Sequence, residues 1–305
     1  MDQQAILREF GNLKNIDVII GGPPCQGFSA ANRWQKETDD PRNKLFFEFV
    51  KFVDLANPKA IVIENVKGIV TKNNGYAKDR INEIFASRGY KVTNRILDAE
   101  DFGVPQKRLR NFFVITKNKE FNFDGLSKQN KKVTVKEAIG ELYEFEKSTD
   151  SQKLAVKEIT SVPKTDFQKY LRRKDNILTN DEIRYPAEKV QERISYVKQG
   201  ENWTSVPSKL WPSQRNNRHS SAYKRLEENK TSITIDTGNN HSNFFHPLYN
   251  RIPTVRENAR LQSFPDEFEF LGSRSEQYRQ VGNAVPPLLA KAIASLLLKD
   301  LTNEQ

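Results

Sequence analysis

The sequence is poor in the groups on which several common chemistries depend. Its 305 residues include one cysteine, Cys25, one methionine and three histidines. One cysteine excludes an intrachain disulfide, and with three scattered histidines no zinc site of ordinary ligand spacing is available, so no metal is expected. No run approaches the length of a membrane span, and no charged-then-apolar leader opens the chain. The expectation is a cytoplasmic protein without a membrane partner. Acidic charge is also in deficit, with 49 Lys+Arg against 39 Asp+Glu and a formal net charge of +10. Such an excess draws polyanions by releasing their counterions, which makes nucleic acid the leading partner class.

What is present is unevenly distributed. Residues 151–230 hold 17 Lys+Arg against 10 Asp+Glu, and 205–225 carries Lys209, Arg215, Arg218, Lys224 and Arg225 with no acid. Trp203, Trp211, His219 and Tyr223 are interleaved there, as expected of a surface that stacks on or straddles nucleic acid. The first part of the chain alternates strand-like and helix-like segments. Short Ile/Val-rich runs at 17–20, 60–64, 92–97 and 111–115 read as buried strands. Between them, 44–56 and 78–88 have helical spacing, the first placing Leu45, Phe49, Phe52 and Val53 on one face. This alternation predicts a mostly parallel α/β sheet with helices on both sides. Short helices are predicted at 134–142 and 187–198. Thr254-Val255-Arg256-Glu257 reads as a capping box, and 288–298 as an apolar helix returning to the sheet.

The single cysteine lies in Gly21-Gly22-Pro23-Pro24-Cys25-Gln26-Gly27-Phe28-Ser29, just past a strand, where α/β sheets place their chemistry. Prolines stiffen the approach and glycines admit close passage of backbone or ligand. A buried, inert thiol is the ordinary alternative, but such thiols rarely occupy a polar turn. Four further segments follow in order: Glu64-Asn65-Val66 after a strand; Gln106-Lys107-Arg108-Leu109-Arg110 before one; Arg256-Glu257-Asn258-Ala259-Arg260-Leu261-Gln262-Ser263-Phe264-Pro265; and Gly282-Asn283-Ala284-Val285-Pro286-Pro287. All five together resemble the DNA cytosine-5 methyltransferase family. The likeness covers nearly the whole chain and is weakest at about 119–230, where that family carries its variable target-recognition region.

The resemblance implies a Rossmann-like, S-adenosylmethionine-dependent methyltransferase sheet with a smaller basic module. The expected division is a catalytic α/β domain at 1–118, a target-recognition module at 119–250 and a motif helix with carboxy-terminal return at 251–305. It implies Cys25 as the nucleophile, Glu64 as the acid at the cytosine ring, and Arg108 and Arg110 as catalytic neighbours of the flipped base, with Arg110 favoured. Alternation would point both arginines to one face if the segment is extended. Pro24, Leu45, Asn283 and Val285 match positions lining the cofactor, S-adenosylmethionine. Gln26 and Ser29 match a loop touching DNA, and Lys209, Arg215 and Arg218 are candidate contacts to duplex DNA in the basic module. Arg256 and Arg260 read as structural, with Thr234 and His246-Pro247 in the same supporting region. The expected activity is a DNA (cytosine-5-)methyltransferase of a restriction–modification pair.

One departure accompanies the likeness. The family places a strand, a glycine-rich turn and a ribose-binding acid upstream of the nucleophile, whereas twenty-four residues precede Cys25 here, with no such turn. The expected sheet is therefore amino-terminally truncated. A second subunit supplying the missing part, an interrupted longer gene, and a DNA-binding remnant all stay open. A non-catalytic DNA-binding protein and an RNA cytosine methyltransferase are the competing readings. A Cys/His hydrolase is disfavoured, since His219, His241 and His246 bear no motif relation to Cys25.

Overall fold

The computed structural model describes residues 3–24, 43–211, 222–237 and 243–302. Contacts divide the chain into two compact units, the first formed by Met1–Asp98, Leu109–Ser127 and Ala292–Gln305, the second by Ala99–Arg108 and Lys128–Lys291.

In the first unit, helix α1 (Gln3–Phe10) leads into strand β1 (Val18–Gly21), helix α2 (Lys44–Ala56), and strands β2 (Ala60–Val66), β3 (Lys91–Asp98) and β4 (Leu109–Thr116). The sheet order is β1-β2-β4-β3. Only β1 and β2 run parallel; β4 is antiparallel to both its neighbours. All four predicted strands form, but the mostly parallel sheet is corrected to a mixed one. The reason is connectivity: β3 and β4 are joined by a short excursion, not by a crossover helix of the length parallel pairing requires.

One sheet face is the core. Ile61, Ile63, Phe113 and Ile115 pack against Phe46, Val50 and Val53 of α2 and against Ile81, Ile84 and Phe85 of the helix Tyr76–Ala86. Helix α2 has the predicted bounds and ends where Asn57 turns left-handed (φ 50°), its N–H reaching the Val53 carbonyl. Its buried face matches the predicted one only in part: Val53 is buried and Phe49 and Phe52 pack partly buried against the core. Phe46, Val50, Val53 and Ala56 are buried, whereas Leu45 is 60% exposed. Both faces of this helix carry large apolar residues, so periodicity alone could not choose between them. Strand β1 lies at the sheet edge, and its Ile20 is 75% exposed.

The second unit is held by polar as well as apolar contacts. The capping box at Thr254 forms as expected and starts the helix Val255–Leu261. A second box at Thr134 starts a helix that is α only over Val135–Ile139 and then tightens to 3-10 over Gly140–Lys147, shortening the element predicted at 134–142. Buried arginines knit the unit. Arg251 forks onto Glu257 (2.7 and 2.8 Å) and reaches Glu146; Arg260 forks onto Asp266 (2.9 and 2.5 Å) and reaches Glu141. Arg256 donates to the carbonyls of Thr179 and Phe268. Arg225 donates to the carbonyls of Val197, His246, Tyr249 and Ile194.

Among the interleaved aromatics, Tyr223 is a correction. Tyr223 is buried, edge-on to Trp211 and Phe245, within a cluster of Ile194, Val197 and Val206 against which Trp203 also packs. Tyr223 therefore belongs to a small core, Trp203 and Trp211 lie half-buried against it, and His219 lies outside the described residues. Arg225 likewise serves that core. The same composition suits either use, and only the packing distinguishes them.

His246 belongs to this network and makes stability depend on pH. Its Nδ1 accepts from the backbone N–H groups of Leu248 (3.1 Å) and Tyr249 (3.2 Å), so the ring proton sits on Nε2, 3.5 Å from Glu257 Oε1. Burial pushes its pKa down from 6.5 to about 3, against the pull of Glu257. The unfolded chain therefore takes up a proton that the folded chain refuses. This contribution is complete above about pH 6.5 and is lost as the pH falls toward 3. Burial would raise Glu257, but Arg251 and His246 outweigh it and hold that carboxyl at about 2, so its own loss comes lower. At pH 4.5 the His246 loss is on the order of 2–3 kcal/mol. Urea midpoints at pH 7.5 and 4.5 test this; His246→Gln should flatten the slope, and an unchanged slope would refute the assignment.

The segment Arg274–Thr302 is long and apolar enough by composition to cross a membrane, contrary to the reading of short runs only. It consists of two helices, Arg274–Asn283 and Pro287–Thr302, broken at Ala284-Val285-Pro286, and the second buries Leu289, Ile293 and Leu297 within the protein.

Candidate active site

The site in the first unit is built at the carboxyl end of β1 and β2. Gly21 closes β1 beneath the Phe49 ring of α2, where a β-carbon would lie 2.6 Å from Cε2. A β-carbon on Gly22 would lie 3.4 Å from Glu64 Oε2, so the backbone leading toward Cys25 runs along the Glu64 carboxylate. Asn65 then holds this loop, its Nδ2 donating to the Pro23 carbonyl (3.1 Å) while its Oδ1 accepts from Val66 N–H (3.0 Å). The second bond fixes which end of the amide faces Pro23. Pro23 is buried and Pro24 exposed. Cys25, Gln26 and Ser29 lie outside the described residues.

Glu64 and Arg110 come together across the sheet. Glu64 stands opposite Phe112 and Arg110 opposite Val66, a diagonal pair on one face. Arg110 Nε lies 2.9 Å from Glu64 Oε1, both side chains mostly withdrawn from solvent. Burial pulls the Arg110 pKa down from its ordinary value and Glu64 opposes that shift. The pair is a pre-aimed carboxyl whose direction is set before any ligand arrives.

Arg108 behaves differently, and the shared face expected of the two arginines is corrected. Alternation holds only inside a strand, and Arg108 lies one residue before β4. Its guanidinium is buried in the second unit, where Nη1 donates to the Ile235 carbonyl (2.8 Å) and Nη2 to those of Gly282 (2.7 Å) and Ala284 (3.2 Å). Gln106 lies beside it, accepting from Ile235 N–H (2.8 Å) and donating to Gln262 Oε1 (2.8 Å). Gln106, Gln262 and Asn65 hold backbone and amide groups that their motifs alone do not assign to them; the sequence signal is an amide two residues from an arginine or directly after a catalytic-type acid.

Of the cofactor candidates, Pro24, Leu45 and Asn283 are exposed and Val285 is half-buried. The exposure of Leu45 removes it from the core and suits contact with a ligand. Lys209 is exposed on the 3-10 turn Ser208–Leu210, whereas Arg215 and Arg218 lie outside the described residues. Thr234 Oγ1 donates to the Lys107 carbonyl (2.8 Å), and Arg256 and Arg260 are fully buried, in keeping with supporting roles. Among the described residues no group of His, Cys, Asp and Glu is placed to hold a metal ion.

Comparison with known proteins identifies the family. The family model for C-5 cytosine-specific DNA methylase matches residues 2–299. The Type II methyltransferase M1.HphI of Haemophilus parahaemolyticus is 41% identical over 295 residues, covering 96% of this chain and 71% of that protein. M.DdeI of Desulfomicrobium norvegicum is 38% identical over 308 residues, covering 93% and 72%. Among solved structures, one described as a DNA modification methyltransferase encoded within a prophage of E. coli superposes with a TM-score of 0.75 at 26% identity, covering 99% of this chain and 84% of that one. The S. pombe Dnmt2 methyltransferase shares the fold, with a TM-score of 0.55 at 19% identity, covering 99% of this chain and 84% of that one. With the family model spanning nearly every residue and relatives at 41% and 38% identity, the chain belongs to the C-5 cytosine-specific DNA methylase family.

Proposed function

We propose that the chain methylates C5 of a cytosine turned out of duplex DNA, as the modification arm of a restriction–modification pair acting in the cytoplasm. Cytosine C5 is too weak a nucleophile to accept a methyl group unaided. Addition of the Cys25 thiolate to C6 forms an S–C bond and pushes the displaced electron pair toward C5 and N3. Glu64 supplies a proton or hydrogen bond at N3, which relieves the negative charge, and Arg110 keeps that carboxyl aimed. Once C5 is methylated, loss of its proton and expulsion of the thiolate restore the ring and free Cys25. The observation that carries this reading is the 2.9 Å Glu64–Arg110 pair beside Gly22 and Pro23, which lead directly to the only cysteine.

S-adenosylmethionine, when bound, supplies an electrophilic methyl group. Leu45 and Pro24, apolar yet exposed, fit contact with its apolar parts, and the exposed amide of Asn283 fits its polar groups. Val285 belongs beside Asn283. Gln26 and Ser29 are proposed to contact the DNA backbone, and Lys209, Arg215 and Arg218 to hold the duplex.

The test is transfer of labelled methyl from S-adenosylmethionine to unmethylated duplex DNA. Incorporation by the unsubstituted chain, falling to background in Cys25→Ser, is expected. One observation favours a second reading. Among the described residues strand β1 is a sheet edge with Ile20 75% exposed, an edge suited to pairing with a strand from a second subunit. DNA retention without incorporation would select that reading, in which this chain is the DNA-binding part of a two-subunit methyltransferase.

A further inference from the structure

The buried guanidinium of Arg108 joins two segments that no local pattern connects. The helix Arg274–Asn283 ends with carbonyls that have no partner inside the helix, and its negative end favours a cation. Arg108 Nη2 meets the carbonyls of Gly282 and Ala284, on either side of Asn283, while Gln262 Nε2 takes that of Val281 (2.7 Å). The other arm of Arg108 takes the carbonyl of Ile235, whose N–H is held by Gln106. Ile235 lies in a strap at 232–236 that pairs with 105–107 through Ser232 N–H to the Pro105 carbonyl and Lys107 N–H to the Ser232 carbonyl, each 2.9 Å. Strap and helix end also touch directly. A β-carbon on Gly282 would lie 2.6 Å from the Asp236 carbonyl, an approach only glycine permits.

We infer that Arg108 is a positioning residue that ties the strap at 232–236 to the helix end at 281–284 and so sets the pose of Asn283. The cofactor side of this inference rests on the proposed contact between Asn283 and S-adenosylmethionine. One planar fork reaches carbonyls of both segments, and a lysine ammonium, though equally charged, cannot span them. Displacing either segment therefore strains the other. A ligand that orders the helix end also orders the strap, and the coupling is reciprocal.

The experiment is hydrogen exchange on the unsubstituted chain, Arg108→Lys and Asn283→Ala, with S-adenosylhomocysteine as the probe ligand. In Arg108→Lys, exchange in peptides covering 232–236 and 281–285 is expected to rise together, by about tenfold or more, while peptides in β2 and β4 keep their protection. S-adenosylhomocysteine is expected to bind this variant about tenfold more weakly. In the unsubstituted chain, the same ligand should slow exchange in both peptides. A rise in only one of them, a uniform rise throughout the chain, or ligand protection confined to 281–285 would overturn the tie. If Asn283→Ala leaves binding of S-adenosylhomocysteine unchanged, the cofactor assignment of Asn283 falls, and the paired exchange still decides the role of Arg108.

Discussion

Glu64→Gln is expected to slow single-turnover methyl transfer by about 10²- to 10⁴-fold, with little change in DNA affinity. Glutamine keeps the shape of the side chain and an acceptor for Arg110 Nε, now 2.9 Å from the carboxylate. On the proposed mechanism, what it loses is an exchangeable carboxyl proton for N3 at the moment Cys25 adds to C6. The barrier rises where charge develops, so the effect belongs to the rate and not to binding. A rate within tenfold of the unsubstituted chain would remove Glu64 from the mechanism. Equal losses in thermal stability and rate would mean that Glu64 acts only as the partner of Arg110.

Asp266→Asn is expected to cost about 3–5 kcal/mol of stability, because it leaves a buried arginine without its main counter-charge. Arg260 gives two of its bonds to this carboxylate, and Arg256 Nη1 lies 3.9 Å away. Both arginines are wholly buried, so water cannot replace the lost oxygen charge. Glu141, the other partner of Arg260, is itself shared with Arg172 (2.6 Å) and cannot compensate fully. The melting temperature of the second unit should fall on the order of 10 °C. A shift below about 2 °C would show that the pair contributes little net stability, as apolar replacements of buried ion pairs can. The carboxylate is far from the proposed chemistry in role, so its loss should leave the ratio of methyl transfer to folded protein unchanged.

Much of the site could be read without coordinates because its signals are local. A short apolar run ending in Gly-Gly-Pro-Pro-Cys, and another ending in Glu-Asn-Val, each combine a strand period with the residues at its tip. The backbone near such runs has few alternatives, so β1, β2 and the placement of Glu64 followed. The capping box at Thr254 was equally legible, since its two hydrogen bonds lie within four residues. Charge excess pointed to a polyanion for a reason independent of fold. These things the sequence by itself determined: the strands, the position of Glu64 at a strand end beside the Cys25 segment, and the family likeness.

Tertiary structure alone decided what each long-range partner does. Two arginines two residues apart take different roles because Arg110 meets a carboxylate on the adjacent strand while Arg108 meets carbonyls 127 and 174 residues away. Tyr223 looks like a base-stacking residue in sequence, yet Phe245 closes over it from another segment and makes it core, with Trp211 half-buried at its edge. The side of α2 that is buried depended on which face met the sheet, and Leu45 fell on the other. In each case the residue is compatible with two environments of similar local energy. The choice is made by a partner distant in the chain, whose position only folding supplies.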